Sequence, residues 1–201
     1  MRQGLKQFGI SLLTYCITSN HTHLLIKAED RETVSSFMQK LEGEFAEYYN
    51  LRKRRSGAFW GGRYHCTMID GGKHLSNCMK YIDLNMVRAG VVKHPGQWCW
   101  CGFRELVGER KRYRLVDMEQ VIELYDGWTV EDFAKNYRQV IEEVLERREL
   151  SREPMWTETI AVGSEEFVRE IGAKTQVRMD LKLDQGLNGQ WTLRESRIPY
   201  N

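Results

Sequence analysis

The stretch TYCITSNHTHLLIKA, residues 14–28, decides the reading of the chain. Its β-branched and aromatic residues favour extended backbone. Ser19-Asn20 in the middle are turn formers, so the stretch reads as strand, tight turn, strand. On the second strand His21 and His23 are two apart, and side chains at i and i+2 share a face. Two imidazoles on one face can meet a single divalent ion. The alternative is two unrelated histidines on a half-buried strand, and the pair alone does not decide between these.

Working outward, ETVSSFMQKLEGEFAEYYNLRKR (32–54) has apolar residues at 34, 37, 38, 41, 45 and 48, the spacing of a helix. Thr33 or Ser35 is expected near its start. RRSGAFWGGRYHCTMID (54–70) carries three glycines, then a candidate strand at RYHCTMI. GKHLSNCMKYIDLNMVRAG (72–90) predicts a single helix closed by Gly90. Within it Tyr81 and Asn85 are four apart and are expected one above the other on one face. The bland reading is a packed tyrosine and a surface amide.

Residues 91–108 read as a loop with Pro95 and three glycines. Beyond residue 113 the pattern becomes short helices, in LVDMEQVIELY, TVEDFAKNYRQVIEEVLERREL and SEEFVREIG. The last segment, from Gln176, is polar and poorly patterned. This gives two expected units: residues 1–112, and a helical C-terminal extension over 113–201. The acidic helices of 116–150 are expected to pack over the Tyr81 helix or to help grip a nucleic-acid stem.

The chain has 201 residues, 41% hydrophobic and 29% charged, which fits a folded globular protein and excludes disorder as a class. No apolar run is long enough to cross a membrane, and MRQGLKQFGISLLTYC lacks the features of a signal peptide. A cytoplasmic, nucleoid-associated location is expected, with no membrane partner. Five cysteines with no C-x-x-C pair argue against a disulfide framework or a zinc ribbon, and the thiols are expected to be buried.

Net charge is +2, but it is unevenly spread: residues 1–112 carry +8 and residues 113–201 carry −6. A basic front half suits a polyanion. Its densest part, LRKRRSGAFWGGRYH (51–65), holds Arg52, Lys53, Arg54, Arg55 and Arg63 with no acid, interleaved with Phe59, Trp60 and Tyr64. Cations contact phosphates and aromatics stack on unpaired bases. The alternative is a solvated helix end whose aromatics pack inward. Arg88 lies on the helix face of Tyr81 and Asn85 and is a further candidate phosphate contact.

In this order NHTHLLI (20–26), SGAFWGGRYHC (56–66) and KYIDLNMVRAGVV (80–92) resemble the REP-associated tyrosine transposases of the HUH superfamily, the single-tyrosine transposases. GSEEFV (163–168) is similar to a segment near the C-terminus of that branch. The resemblance covers roughly residues 10–170. It implies an α+β fold with a ferredoxin-like antiparallel sheet, helices on one face, and a C-terminal helical extension. The resemblance implies that the usual first strand is lacking, since only RQGLKQFGI (2–10) precedes the hairpin; such a loss would bare a strand edge, and either the true start lies upstream, another chain completes the sheet, or this is a decayed copy. Met86 stands where the family has proline, and its helix is expected to be straighter for it.

The resemblance further implies site roles and chemistry. His21, His23 and Asn85 would be ligands for Mg²⁺ or Mn²⁺, and Tyr81 the nucleophile. The activity implied is metal-dependent cleavage and rejoining of single-stranded or hairpin DNA through a 5′-phosphotyrosine, in DNA transposition and recombination. Arg52, Lys53, Arg54, Arg55, Trp60, Arg63 and Arg88 would contact DNA, and a homodimer is a candidate assembly. The competing readings are a truncated, catalytically inactive nucleic-acid-binding relative and an unrelated metal-binding protein.

Overall fold

In the computed structural model, Ser11–Ile17 (β1) and Thr22–Lys27 (β2) form the expected antiparallel hairpin around a turn at 18–21. Described in this structure are residues 1–175, 179–183 and 189–195, with side chains of 179–183 excepted. Tyr15 faces Leu24 and Cys16 faces His23 across the hairpin. Ahead of it, the short helix Arg2–Phe8 (α1) stops at Gly9, whose φ of 61° is cheap only for a residue without Cβ.

The long helix Arg31–Lys53 (α2) matches the expected periodicity. Its N-cap, however, is Asp30 rather than Thr33 or Ser35: the Asp30 carboxylate accepts the Thr33 N–H at 2.7 Å. Only Phe37 of its 23 residues is buried, so the C-terminal half stands away from the core. The candidate strand at 63–69 shrinks to Met68–Ile69 (β3), because its pairing partner is the remote Ala161–Gly163 (β4) and spans three residues.

The expected helix over 72–90 is broken. Lys73–Asp83 (α3) ends at Leu84 and Asn85–Arg88 (α4) follows, before Gly90 at φ 70°. Having methionine at position 86 does not straighten the chain. Side chains from outside the ladder stabilise the break instead. The Arg88 guanidinium donates to the Tyr81 carbonyl at 2.8 Å, and the Cys101 thiol approaches the Asp83 carbonyl at 3.7 Å.

Beyond a 3-10 turn at Pro95–Gln97 come Phe103–Leu106 (α5), Met118–Glu123 (α6) and Val130–Arg147 (α7). The last carries a Thr129/Asp132 capping box. Met155–Glu158 (α8) and Glu165–Lys174 (α9) complete the helices among the described residues. The extension is not purely helical, as had been expected. It adds β4 and two strands in the poorly patterned tail, Met179–Leu183 (β5) and Trp191–Glu195 (β6).

The protein is α+β. Among the described residues its strands divide between two sheets, β1–β2 and β3–β4–β6–β5, rather than joining one ferredoxin-like sheet. Within the second sheet β3 and β4 are parallel and the other pairings antiparallel. The far edge of β1 is occupied by the loop at 100–102, where Ile17 N–H bonds the Trp100 carbonyl and Gly102 N–H bonds the Tyr15 carbonyl. A Cβ on Gly102 would collide with Thr14 of β1, so the loop can lie this close only with glycine there. One hydrophobic cluster runs from Leu5 through Met79 and Ile82 to Val121, Phe133, Ile141 and Trp156, drawing on both sides of residue 112.

Candidate nucleic-acid-cleaving site

His21 closes the turn one residue before β2 and His23 lies on β2, so the strand expected to carry both histidines carries one; their ring centroids are still only 4.9 Å apart, with planes at 81°. The turn orients the first ring. His21 Nδ1 lies 2.8 Å from the Asn20 side-chain oxygen and 3.1 Å from Thr18 Oγ1, contacts that fix the plane of the ring. Thr18 Oγ1 donates to the His21 carbonyl at 2.8 Å and fixes the backbone there. His23 is held down to about 4 by burial, with the neighbouring His21 and Arg88 adding to the effect. A neutral imidazole with an oriented partner is the form a metal ligand needs.

Tyr81 and Asn85 lie on either side of the break at Leu84. Tyr81 is only 6% exposed. The Arg88 guanidinium sits over its ring at 3.8 Å, and Trp156 packs against it at 6.3 Å between centroids. Asn85 is half-buried. Among the described residues, no ring contact or hydrogen bond joins Tyr81 or Asn85 to either imidazole. Arg88 links the two halves: it stacks on Tyr81 and is close enough to His23 to disfavour its protonated form. Arg88 is thus engaged within the protein, where a free phosphate contact had been expected. Burial lowers its pKa, countered by nearby Tyr81 and Glu153.

Sequence reasoning missed the residue between the two expected site positions. Asp83 is 1% exposed and accepts from Thr14 Oγ1 at 2.6 Å, Tyr137 Oη at 2.7 Å and Cys101 Sγ at 3.4 Å. Burial outweighs those three donors and raises its pKa to about 6. The network ties the Tyr81 helix to β1, to the 100–102 loop and to α7. The acidic helix α7 therefore packs over the Tyr81 helix, one of the two roles expected of it. The available signal was a carboxylate set between Ile82 and Leu84 on a helix otherwise rich in buried residues.

The basic stretch behaves as expected in its charges and differently in its aromatics. Arg52, Lys53, Arg54, Arg55 and Arg63 are all exposed. Trp60 is half-buried: its indole donates to the Glu42 carbonyl at 2.8 Å and its ring packs on Phe45 and Phe59. It braces the loop against α2 and does not stand free for stacking. Of the five cysteines, Cys16, Cys78 and Cys101 are buried, whereas Cys66 and Cys99 are exposed, contrary to expectation. Among the described residues no three His, Cys, Asp or Glu side chains converge, so the expected donor set rests on two imidazoles and an amide. No helix among them is long and apolar enough to cross a membrane.

Residues 1–85 match the family model described as "Transposase IS200 like". The chain resembles a single-tyrosine transposase. The match ends at Asn85 and includes His21, His23 and Tyr81. A curated relative from Haemophilus influenzae, named "Putative REP-associated tyrosine transposase", is 24% identical over 112 residues. That alignment covers 51% of this chain and 64% of the relative, so the chain spans somewhat less than two thirds of the relative's length. No solved structure matches the chain. Both matches are to transposases, as is the resemblance carried by the three sequence blocks.

Proposed function

We propose that this protein is a metal-assisted single-strand DNA transferase in which Tyr81 is the nucleophile and His21, His23 and Asn85 hold the ion. The observation that carries the reading is the paired imidazoles. Two rings 4.9 Å apart stand at the end of the hairpin turn and the start of β2, one kept neutral by burial and the other oriented through Nδ1. This arrangement, completed by an amide oxygen, suits Mg²⁺ or Mn²⁺ with open positions. Bound there, such an ion would polarise the scissile phosphate and offset its growing charge.

The Tyr81 oxygen attacks phosphorus and the P–O3′ bond breaks. The leaving 3′ oxygen takes up a proton, giving a free 3′-OH and a 5′-phosphotyrosine. Because the phosphodiester is exchanged rather than hydrolysed, a later 3′-OH can displace the tyrosine and rejoin DNA without ATP. A phenol near pKa 10 is a poor nucleophile unaided, which is why the chemistry needs a cation beside the phosphate. Arg88 holds the phenol ring from one side. Exposed Arg52, Lys53, Arg54, Arg55 and Arg63 supply the phosphate contacts of a single-stranded or hairpin substrate.

The test is a 3′-labelled hairpin-bearing single strand incubated with protein and Mn²⁺. Expected is a denaturation-resistant protein–DNA adduct carrying the label, absent in Tyr81→Phe and reduced at least ~10²-fold in His21→Ala and His23→Ala. An adduct that survives in Tyr81→Phe, or that forms equally well in EDTA, rules the mechanism out.

A further inference from the structure

Four consecutive residues far from the imidazole pair in sequence, Lys111, Arg112, Tyr113 and Arg114, are all exposed. We infer that this loop is a second nucleic-acid contact, binding the sugar-phosphate backbone of an unpaired strand and stacking one base on Tyr113. That identity for the ligand rests on the proposed function; the surface itself does not.

Four observations converge on it. The nearby acids are already engaged: Glu109 pairs with Arg138 at 2.7 Å and with Arg104 at 3.7 Å, and Glu105 lies within 3.5 Å of Arg110. Among the described residues, Lys111, Arg112 and Arg114 have no carboxylate partner. Three uncompensated cations in four residues are a local field for phosphate. Second, the loop is built rigidly at its base. The Glu105 carboxylate, 1% exposed, accepts the N–H groups of Leu115 at 2.6 Å and Val116 at 2.8 Å. Arg110 donates to Tyr15 Oη at 3.0 Å and to the Cys99 carbonyl, and Arg2 donates to the Arg114 carbonyl at 3.0 Å.

Third, Tyr113 is 84% exposed and sits at a φ of 56°. A non-glycine residue pays a steric penalty for left-handed backbone. Here that conformation presents an aromatic face to solvent, where it contributes nothing to the core. Fourth, Arg110 ties the loop to Cys99, and the adjacent Trp100 is itself 59% exposed. Cations alternating with an aromatic, on a pinned loop, is the chemistry that holds single strands: phosphates on the charges, a base on the ring. The Trp100 carbonyl accepts the Ile17 N–H of β1, at the end of the strand that leads into the His21 turn. A strand bound on the loop is thereby held by the framework that carries the imidazoles.

The experiment measures binding of a labelled 20-nucleotide single strand by fluorescence anisotropy, without divalent metal, across a salt series. The full chain is compared with Tyr113→Ala and with the triple variant Lys111→Ala/Arg112→Ala/Arg114→Ala. Heparin, a polyanion without bases, serves as comparator, and thermal melts confirm folding. In the triple variant the slope of log K against log salt is expected to fall in magnitude by about two, for both ligands. In Tyr113→Ala the oligonucleotide is expected to bind ~5- to 100-fold more weakly, with slope and heparin binding unchanged. Unchanged affinity and slope in both folded variants overturn the inference. So does equal loss of heparin and oligonucleotide binding in Tyr113→Ala, which makes the ring structural only. The Tyr81 adduct is scored separately. Loop variants that lose affinity while wild type forms no adduct leave the loop standing and the strand-transfer reading fallen; an adduct with indifferent loop variants does the reverse.

Discussion

Replacing Arg88 by alanine isolates what this residue does for the Tyr81 helix. Its guanidinium lies 3.8 Å from the Tyr81 ring centroid and donates to the Tyr81 carbonyl at 2.8 Å. A partly desolvated cation–π contact is worth about 0.5–2 kcal/mol. Losing the donor strands the Tyr81 carbonyl beside a broken helical ladder, at a further ~1–3 kcal/mol. Relief of the guanidinium's own burial, visible in its lowered pKa, offsets part of this. The net expectation is a loss of roughly 1–4 kcal/mol, or a fall in Tm of about 3–12 °C for a chain of this size. Urea melts of wild type, Arg88→Ala and Arg88→Lys read it directly. The lysine variant is expected to recover less than half of the loss, because an ammonium cannot stack and donate in two directions at once. If Arg88→Ala melts within about 0.5 kcal/mol of wild type while DNA affinity drops, then Arg88 is a phosphate contact and its stacking and hydrogen bond on Tyr81 do not hold this helix.

Two further substitutions probe buried charge. His23 is held at about 4, against 6.5 when unfolded, so the unfolded chain takes up the proton first as pH falls. Its contribution to stability is whole above pH 6.5 and declines between there and pH 4, by roughly 3 kcal/mol. Asp83, raised to about 6, works the other way: its contribution is whole below 3.8 and is lost as pH rises through 6. The His23 effect is therefore read as the difference between wild type and His23→Gln at pH 7.5 and 4.5. A difference that does not change with pH refutes the assignment. Glu105→Ala removes the acceptor of Tyr15 Oη, Leu115 N and Val116 N and unpairs Arg110. A loss of about 3–5 kcal/mol is expected by thermal denaturation, and a loss below ~1 kcal/mol contradicts the network.

The hairpin was readable because one short segment held both its strand formers and its turn formers, and α2 because its apolar spacing runs unbroken from Val34 to Tyr48. What escaped was set by partners distant in sequence. The strand at 63–69 contracted to two residues because β4, some ninety positions on, offers only three to pair with. Trp191–Glu195 and Met179–Leu183 alternate apolar and polar residues over only five positions each, too short to stand out in a polar tail, and they are strands because they pair with each other and with β4. The break at Leu84 depends on Arg88 and Cys101, and no periodicity within 72–90 reports a thiol arriving from a later loop. At the site, the imidazole pair was legible from a two-residue spacing on a strand. The packing of Arg88 and Trp156 around Tyr81 was not, since one follows from the broken helix and the other from α8.

Asp83 gives the similarity boundary a physical meaning of its own. The stretch shared with the IS200-like family stops two positions after this carboxylate, yet a phenol 54 residues further along helps solvate it. The end of the family match and the end of the packed unit thus fall at different places on this chain. The matched portion leans on α7 to keep an anion tolerable in its interior, so changes that begin in α7 will be felt at the helix that bears Tyr81.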